Sequence, residues 1–178
     1  MAAKWGIQRA DRLKKLADNI DILIEKDDLK SRHAEQIDEM RRQAACGLHT
    51  VCAKFVENIN ALLSRTQVFL DPPEYAPESF RPGDPNLLQI NVRGRILQIE
   101  FEAPDQLVST EHFRVPYILE GAVRSFNQEL LERDSIEEQL LFYCLEGNRK
   151  AWRYFDGRTY QTGLFEQEYL VSLMERIL

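Results

Sequence analysis

Residues 88–101 read Leu-Gln-Ile-Asn-Val-Arg-Gly-Arg-Ile-Leu-Gln-Ile-Glu-Phe. Leu88, Ile90 and Val92 alternate with polar residues, and after Arg93-Gly94-Arg95 the alternation resumes with Leu97, Ile99 and Phe101. A period of two marks a strand buried on one face, and a glycine between two such runs marks a tight turn. The stretch therefore predicts a β-hairpin, and the chain on either side can be read outward from it.

Downstream, Val115 to Phe126 predicts a further strand, with Pro116 and Gly121 suggesting an edge position or a bulge. Leu140 to Leu145 is a short apolar run of strand composition. Glu146 to Lys150 supplies a turn, Trp152 to Phe155 a return strand, and Asp156-Gly157 another turn signal. Leu164 to Leu178 changes to helical spacing through Phe165, Tyr169, Leu170, Leu173, Met174 and Ile177. An antiparallel meander with a C-terminal helix on one face is the simplest assembly.

Upstream, residues 71–86 hold five of the seven prolines. Proline ends helices and removes backbone donors, so this stretch reads as a linker crossing the domain surface. Before it, from Asp11 to Arg65, there is no proline and one glycine, Gly47. Steps of three and four from Leu13 run through Leu16, Ile20, Leu23, Asp27, Lys30, Ala34, Ile37, Arg41, Ala44, Leu48, Val51, Phe55, Asn58 and Leu62. Eleven of these fifteen positions are apolar, which makes a coiled-coil-like seam broken at Asp27 and Lys30. Either one long helix keeps a hydrated seam there or the chain reverses as a helical hairpin; the unbroken register favours one helix. A helix of about 55 residues would reach roughly 80 Å, more than a monomer can bury, so continuity implies a partner chain. The first half carries a narrow stripe suited to another helix, the second a broader one suited to a sheet.

The expected class is thus α+β: a long N-terminal helix (or helical hairpin), then an antiparallel β-sheet meander with a C-terminal helix. The expected division is 1–70 as a coiled-coil-like helical arm, 71–86 as a proline-rich linker and 87–178 as an acidic sheet domain. Charge follows the same division. The 178 residues carry a formal −6, but residues 1–66 hold 12 basic against 10 acidic side chains (+2), and residues 67–178 hold 11 against 19 (−8). Six of the seven lysines lie at or before Lys54.

Composition, at 44% hydrophobic and 29% charged, is that of a chain able to build a core and excludes collagen-like and wholly disordered classes. No apolar run approaches the roughly 18–20 residues of a membrane span. The opening Met-Ala-Ala-Lys-Trp-Gly lacks the apolar core of a signal peptide, and three cysteines form no disulfide framework. A cytoplasmic protein is expected.

Four constellations invite chemistry. Cys46, His49 and Cys52 resemble metal-ligand spacing, but on a helix Cys46 and Cys52 lie about 240° apart and cannot converge. Glu100 and Glu102 share the strand face opposite Leu97, Ile99 and Phe101; paired carboxylates of this kind serve metal-dependent enzymes, with Glu146 as a third, but that face reads as solvated. Arg149, Lys150, Trp152, Arg153, Tyr154 and Arg158 form a basic-aromatic cluster that could stack bases, although a domain charge of −8 opposes a polyanion. His112 beside Ser109 and Thr110 forms no nucleophile motif, and no Gly-rich phosphate loop is present.

The reading these features support is a non-enzymatic protein-interaction or scaffold protein that self-associates, as a homodimer, through its N-terminal helix. Leu13, Leu16, Ile20 and Leu23 would supply the seam, and Arg149, Trp152, Arg153 and Tyr154 a protein-binding face on the sheet. No cofactor, metal or catalytic residue is expected. A metal-dependent enzyme using the sheet carboxylates and a nucleic-acid-binding domain are the alternatives, and no motif names a process.

Overall fold

The structure, a computed structural model, describes residues 2–104, 115–126 and 137–178, with side chains from residue 12 onward. One helix, α1, spans Ala2–Leu62 without interruption, so the hairpin alternative does not apply. The absence of proline and the run of good helix formers account for its length. It ends where Asn60 turns its side chain onto the following chain: its Nδ2 donates to the Val68 carbonyl at 2.9 Å, and its Oδ1 accepts from the Val68 N–H at 2.8 Å.

Seven strands follow in one antiparallel sheet whose spatial order is the chain order, β1 to β7. They are β1 (Phe69–Asp71), β2 (Asn86–Val92), β3 (Arg95–Glu102), β4 (Tyr117–Phe126), β5 (Glu137–Glu146), β6 (Arg149–Asp156) and β7 (Gln161–Leu164). Helix α2 (Gln167–Ile177) closes the chain. The β2–β3 hairpin turns on Arg93 and Gly94, both at positive φ, as a two-residue turn matched to strand twist requires. Asn91 Oδ1 accepts from the Gly94 N–H and steadies that turn.

Two compact units make up the chain, Met1–Glu39 and Met40–Leu178. The second takes in the latter part of α1 and the proline-rich segment as well as the sheet, so its boundary falls within the helix. In it Ala44, Ala45, Leu48, Cys52 and Phe55 of α1 join one buried cluster with Leu88, Ile90, Leu97, Ile99 and Phe101 of the sheet and Leu170, Leu173 and Ile177 of α2. The broad apolar stripe seen in the second half of the arm is thus the face that packs on the sheet. The alternating residues of β2 and β3 place one set in this core and leave Gln89, Gln98, Glu100 and Glu102 on the opposite face.

Arg41 adds a polar tie. Its Nε donates to the Ile118 carbonyl at 3.1 Å and an Nη to the Pro104 carbonyl at 2.9 Å. Ile118 sits at the irregularity between Tyr117 and Leu119, where the β4–β5 ladder skips a residue, so this carbonyl needs a partner from outside the ladder.

The strand expected to be an edge is instead central: β4 has three strands on either side. Its glycine marks a close backbone approach. A Cβ at Gly121 would lie 2.0 Å from the Glu100 carbonyl oxygen and 2.9 Å from the Cβ of Phe101, its register partner. The bulge reading holds, since the ladder shifts at Tyr117/Leu119.

Candidate interaction surfaces

The N-terminal unit presents the first surface. Every described side chain from residue 12 to 36 is exposed. Leu13, Leu16, Ile20 and Leu23, with Ile22, Ile24 and Leu29, are 47–65% exposed. Single exposed leucines are ordinary, but seven large apolar side chains within 17 residues of one helix are not. Within residues 12–36, Lys30 Nζ and Asp27 Oδ1 form an ion pair along the helix at 3.8 Å.

The sheet cluster is divided. Trp152 is 7% exposed and lies in the core, edge-on to Phe101 and Tyr143, with its indole N–H donating to the Ala44 carbonyl at 2.8 Å. Tyr154 faces the same side and stacks on Tyr169 of α2, with ring centres 4.0 Å apart and planes 4° from parallel. Arg153 faces the other side of the sheet and lies 3.6 Å from the Glu146 carboxylate. Arg149 is exposed at the β5–β6 turn. The aromatic and basic members therefore do not converge, and the area of Trp152 is already committed to the core.

On the open sheet face, Arg124 bridges two carboxylates, with Nη1 3.1 Å from Glu100 and Nε 2.6 Å from Glu138. Both raise the guanidinium's pKa, the hydrogen bond to Glu138 most, while burial works against them. A shallow depression of about 380 Å³ lies over this group, lined also by Glu102, Glu120 and Phe142. Arginine at the centre takes the place a cation would need, and among the described residues no group of three His, Cys, Asp or Glu side chains is arranged to hold a metal ion.

Cys46 and His49 have a structural task. His49 is buried, its Nε2–H donates to the Pro72 carbonyl at 2.9 Å, and its ring stacks on Tyr75 at 5.7 Å. Cys46 Sγ points to the Tyr75 carbonyl at 3.9 Å. The tyrosine hydroxyl then donates to Asn86 Oδ1, and Asn86 also binds the backbone of Arg81, Asp84 and Phe101. Burial pushes the Tyr75 phenol up to about 12, with Cys46 adding and Arg81 opposing. The proline-rich segment is thereby clamped between helix and sheet. Cys52, on the other side of α1, is buried in the core.

A buried polar chain was not legible in the sequence. The Tyr169 hydroxyl donates to Gln139 Oε1, Gln139 Nε2 donates to Asp156 Oδ2 at 3.1 Å, and Asp156 Oδ1 accepts the Arg158 N–H at 2.9 Å. Tyr169, Gln139 and Asp156 line a cleft of about 440 Å³ with Tyr154, Glu166 and Arg176. The polar groups of the chain satisfy one another, as a turn-and-helix latch requires. Ser109, Thr110 and His112 lie outside the described residues.

No family model, curated protein or solved structure matches this chain. No helix among the described residues is long and apolar enough to cross a membrane.

Proposed function

We propose that the chain is a non-enzymatic interaction or scaffold protein that self-associates through the N-terminal part of α1. One observation carries this: an unbroken helix whose residues 12–36 are all exposed carries leucines and isoleucines in a heptad frame. Burying a leucine fully is worth about 1.5–3 kcal/mol, so a seam of four or more is a large stabilisation that a single chain does not collect there.

The sheet supports this reading by what its polar groups already do. Glu100 and Glu138 hold Arg124, and Trp152 and Tyr154 pack inward. Of the four sheet residues expected to meet a partner, Arg149 and Arg153 keep their side chains on the solvent side.

Light scattering on the full chain, from about one to a few hundred micromolar, tests the proposal. A dimer mass that falls to a monomer in Leu16→Asp/Leu23→Asp, with helix content kept, is the expected result. A monomer throughout would overturn it.

A further inference from the structure

We infer that the open face of the sheet docks an arginine side chain of a different protein, held in a groove along β4 with its guanidinium between Glu102 and Glu120. The inference concerns the sheet alone and is independent of self-association through α1.

The groove follows from side-chain size. On this face β4 presents Glu120, Ala122 and Arg124, with the small residue in the middle. The register partners of Ala122 stand on either side of it, Glu100 on β3 and Leu140 on β5. One wall is therefore acidic and continues to Glu102, and the other is apolar and continues to Phe142. The space between them, about 380 Å³, lies at the small end of the roughly 300–1,000 Å³ typical of ligand clefts. An acidic wall facing an apolar one suits a long side chain with an aliphatic stem and a cationic head.

The sheet itself shows which head fits. At one end of the groove Arg124 bridges Glu100 and Glu138, at 3.1 and 2.6 Å. At the other end Glu102 and Glu120 are register partners, so two carboxylates stand opposite each other on neighbouring strands. The Cβ atoms of such a pair are about 4.5–5.5 Å apart, and like charges there destabilise the sheet. Among the described residues neither carboxylate is in an ion pair, although Glu120 has a hydrogen bond with the Tyr117 phenol. A guanidinium relieves the repulsion, because its planar fork donates to two carboxylates at once, as Arg124 does; an ammonium offers a single point charge.

The surroundings of the groove favour a polypeptide over a free cation. Leu87, the register partner of Glu100, is 44% exposed, and Leu140 is 39% exposed beside Phe155. Apolar side chains thus lie to both sides of the charge, and the neighbours of an arginine in a peptide would cover them. The −8 of residues 67–178 draws basic partners to this domain.

Amide chemical shifts of the full chain, titrated with the peptide acetyl-Leu-Arg-Leu-amide, test the inference. Saturable shifts at Glu102, Glu120, Ala122 and Leu140 are expected, with acetyl-Leu-Gln-Leu-amide binding about tenfold more weakly. Glu102→Gln/Glu120→Gln removes the like-charge pair, so it should fold at least as well as the parent and bind the arginine peptide about tenfold more weakly. Glu74→Gln/Glu78→Gln makes the same change in net charge at two exposed carboxylates of the proline-rich segment, and should bind within about twofold of the parent. No shifts up to about 10 mM peptide, equal binding of the glutamine peptide, or binding undiminished in Glu102→Gln/Glu120→Gln would overturn the site. A dimer mass that is lost in Glu102→Gln/Glu120→Gln would show that a second copy fills the groove, and would overturn the assignment to a different protein.

Discussion

The indole N–H of Trp152 and the carbonyl of Ala44 meet at 2.8 Å across 108 positions of chain. A mid-helix carbonyl has a second lone pair beyond its helical bond, and Trp152 uses it to fix the α1 face against β6. Trp152→Phe keeps most of the packing against Phe101 and Tyr143 and removes the donor. The expected loss is about 1–2 kcal/mol in urea unfolding, against about 3–5 kcal/mol for Trp152→Ala, which also leaves a cavity. Equal losses for the two variants would mean that packing around the ring contributes nothing beyond the hydrogen bond.

Gly121 is expected to be among the least replaceable residues of the sheet. A methyl group there would meet the Glu100 carbonyl at 2.0 Å and the Phe101 backbone at 2.8 Å, and neither is the end of a flexible side chain. Gly121→Ala must therefore spread the β3–β4 pair at the centre of the sheet, costing about 2–3 kcal/mol. Gly83, with open space around it, is the control: Gly83→Ala should lie within about 0.5 kcal/mol of the parent. Thermal unfolding of the two variants side by side makes the comparison.

These two residues also mark where sequence reading succeeds and where it stops. Alternation in β2 and β3 and helical spacing in α1 and α2 are local and were legible, because burial on one face imposes a period. β1 and β7, of three and four residues, are too short to show one. Gly121 looked like an edge signal because a strand glycine also weakens pairing; only the register partner, Phe101, reveals the close approach. The inward direction of Trp152 depends on strand phase, and the aromatic-basic run suggested a single surface although neighbouring residues of a strand point to opposite faces. The helix of the arm was legible from its spacing, whereas the link from Tyr169 through Gln139 to Asp156 joins three separate elements and has no local pattern.

The three thiols should separate by reactivity. Burial pushes Cys52 up to about 12, and burial also pushes Cys144 up to about 12, with Arg153 opposing and Glu146 adding. Both are buried, Cys52 on α1 and Cys144 on β5, while Cys46 is half-exposed. The thiolate is the reactive species, so a disulfide reagent at about pH 8 should modify one thiol per native chain quickly and all three in denaturant. Loss of the fast phase in Cys46→Ser assigns it. Two fast thiols in the native chain would contradict the packing of Cys52 or Cys144.

Asp156 should make part of the stability acid-sensitive. Its carboxyl lies below the ordinary value of 3.8, chiefly because the Arg158 N–H binds it; burial works against this, and the Thr159 N–H and the Arg158 guanidinium lower it further. A carboxylate whose folded pKa is depressed contributes stability above its unfolded value, about 3.9, and loses it as pH falls through the folded value. Asp156→Asn removes that contribution and also sets an amide donor against the Gln139 Nε2 donor, since Gln139 is oriented by accepting from Tyr169. The variant should be less stable than the parent by about 1–3 kcal/mol at pH 7, and the gap should narrow below about pH 4 as the parent's own carboxyl protonates. Urea unfolding at about pH 7 and about pH 3 measures both differences. A gap constant with pH would show that the amide clash, and not the charge, accounts for the loss.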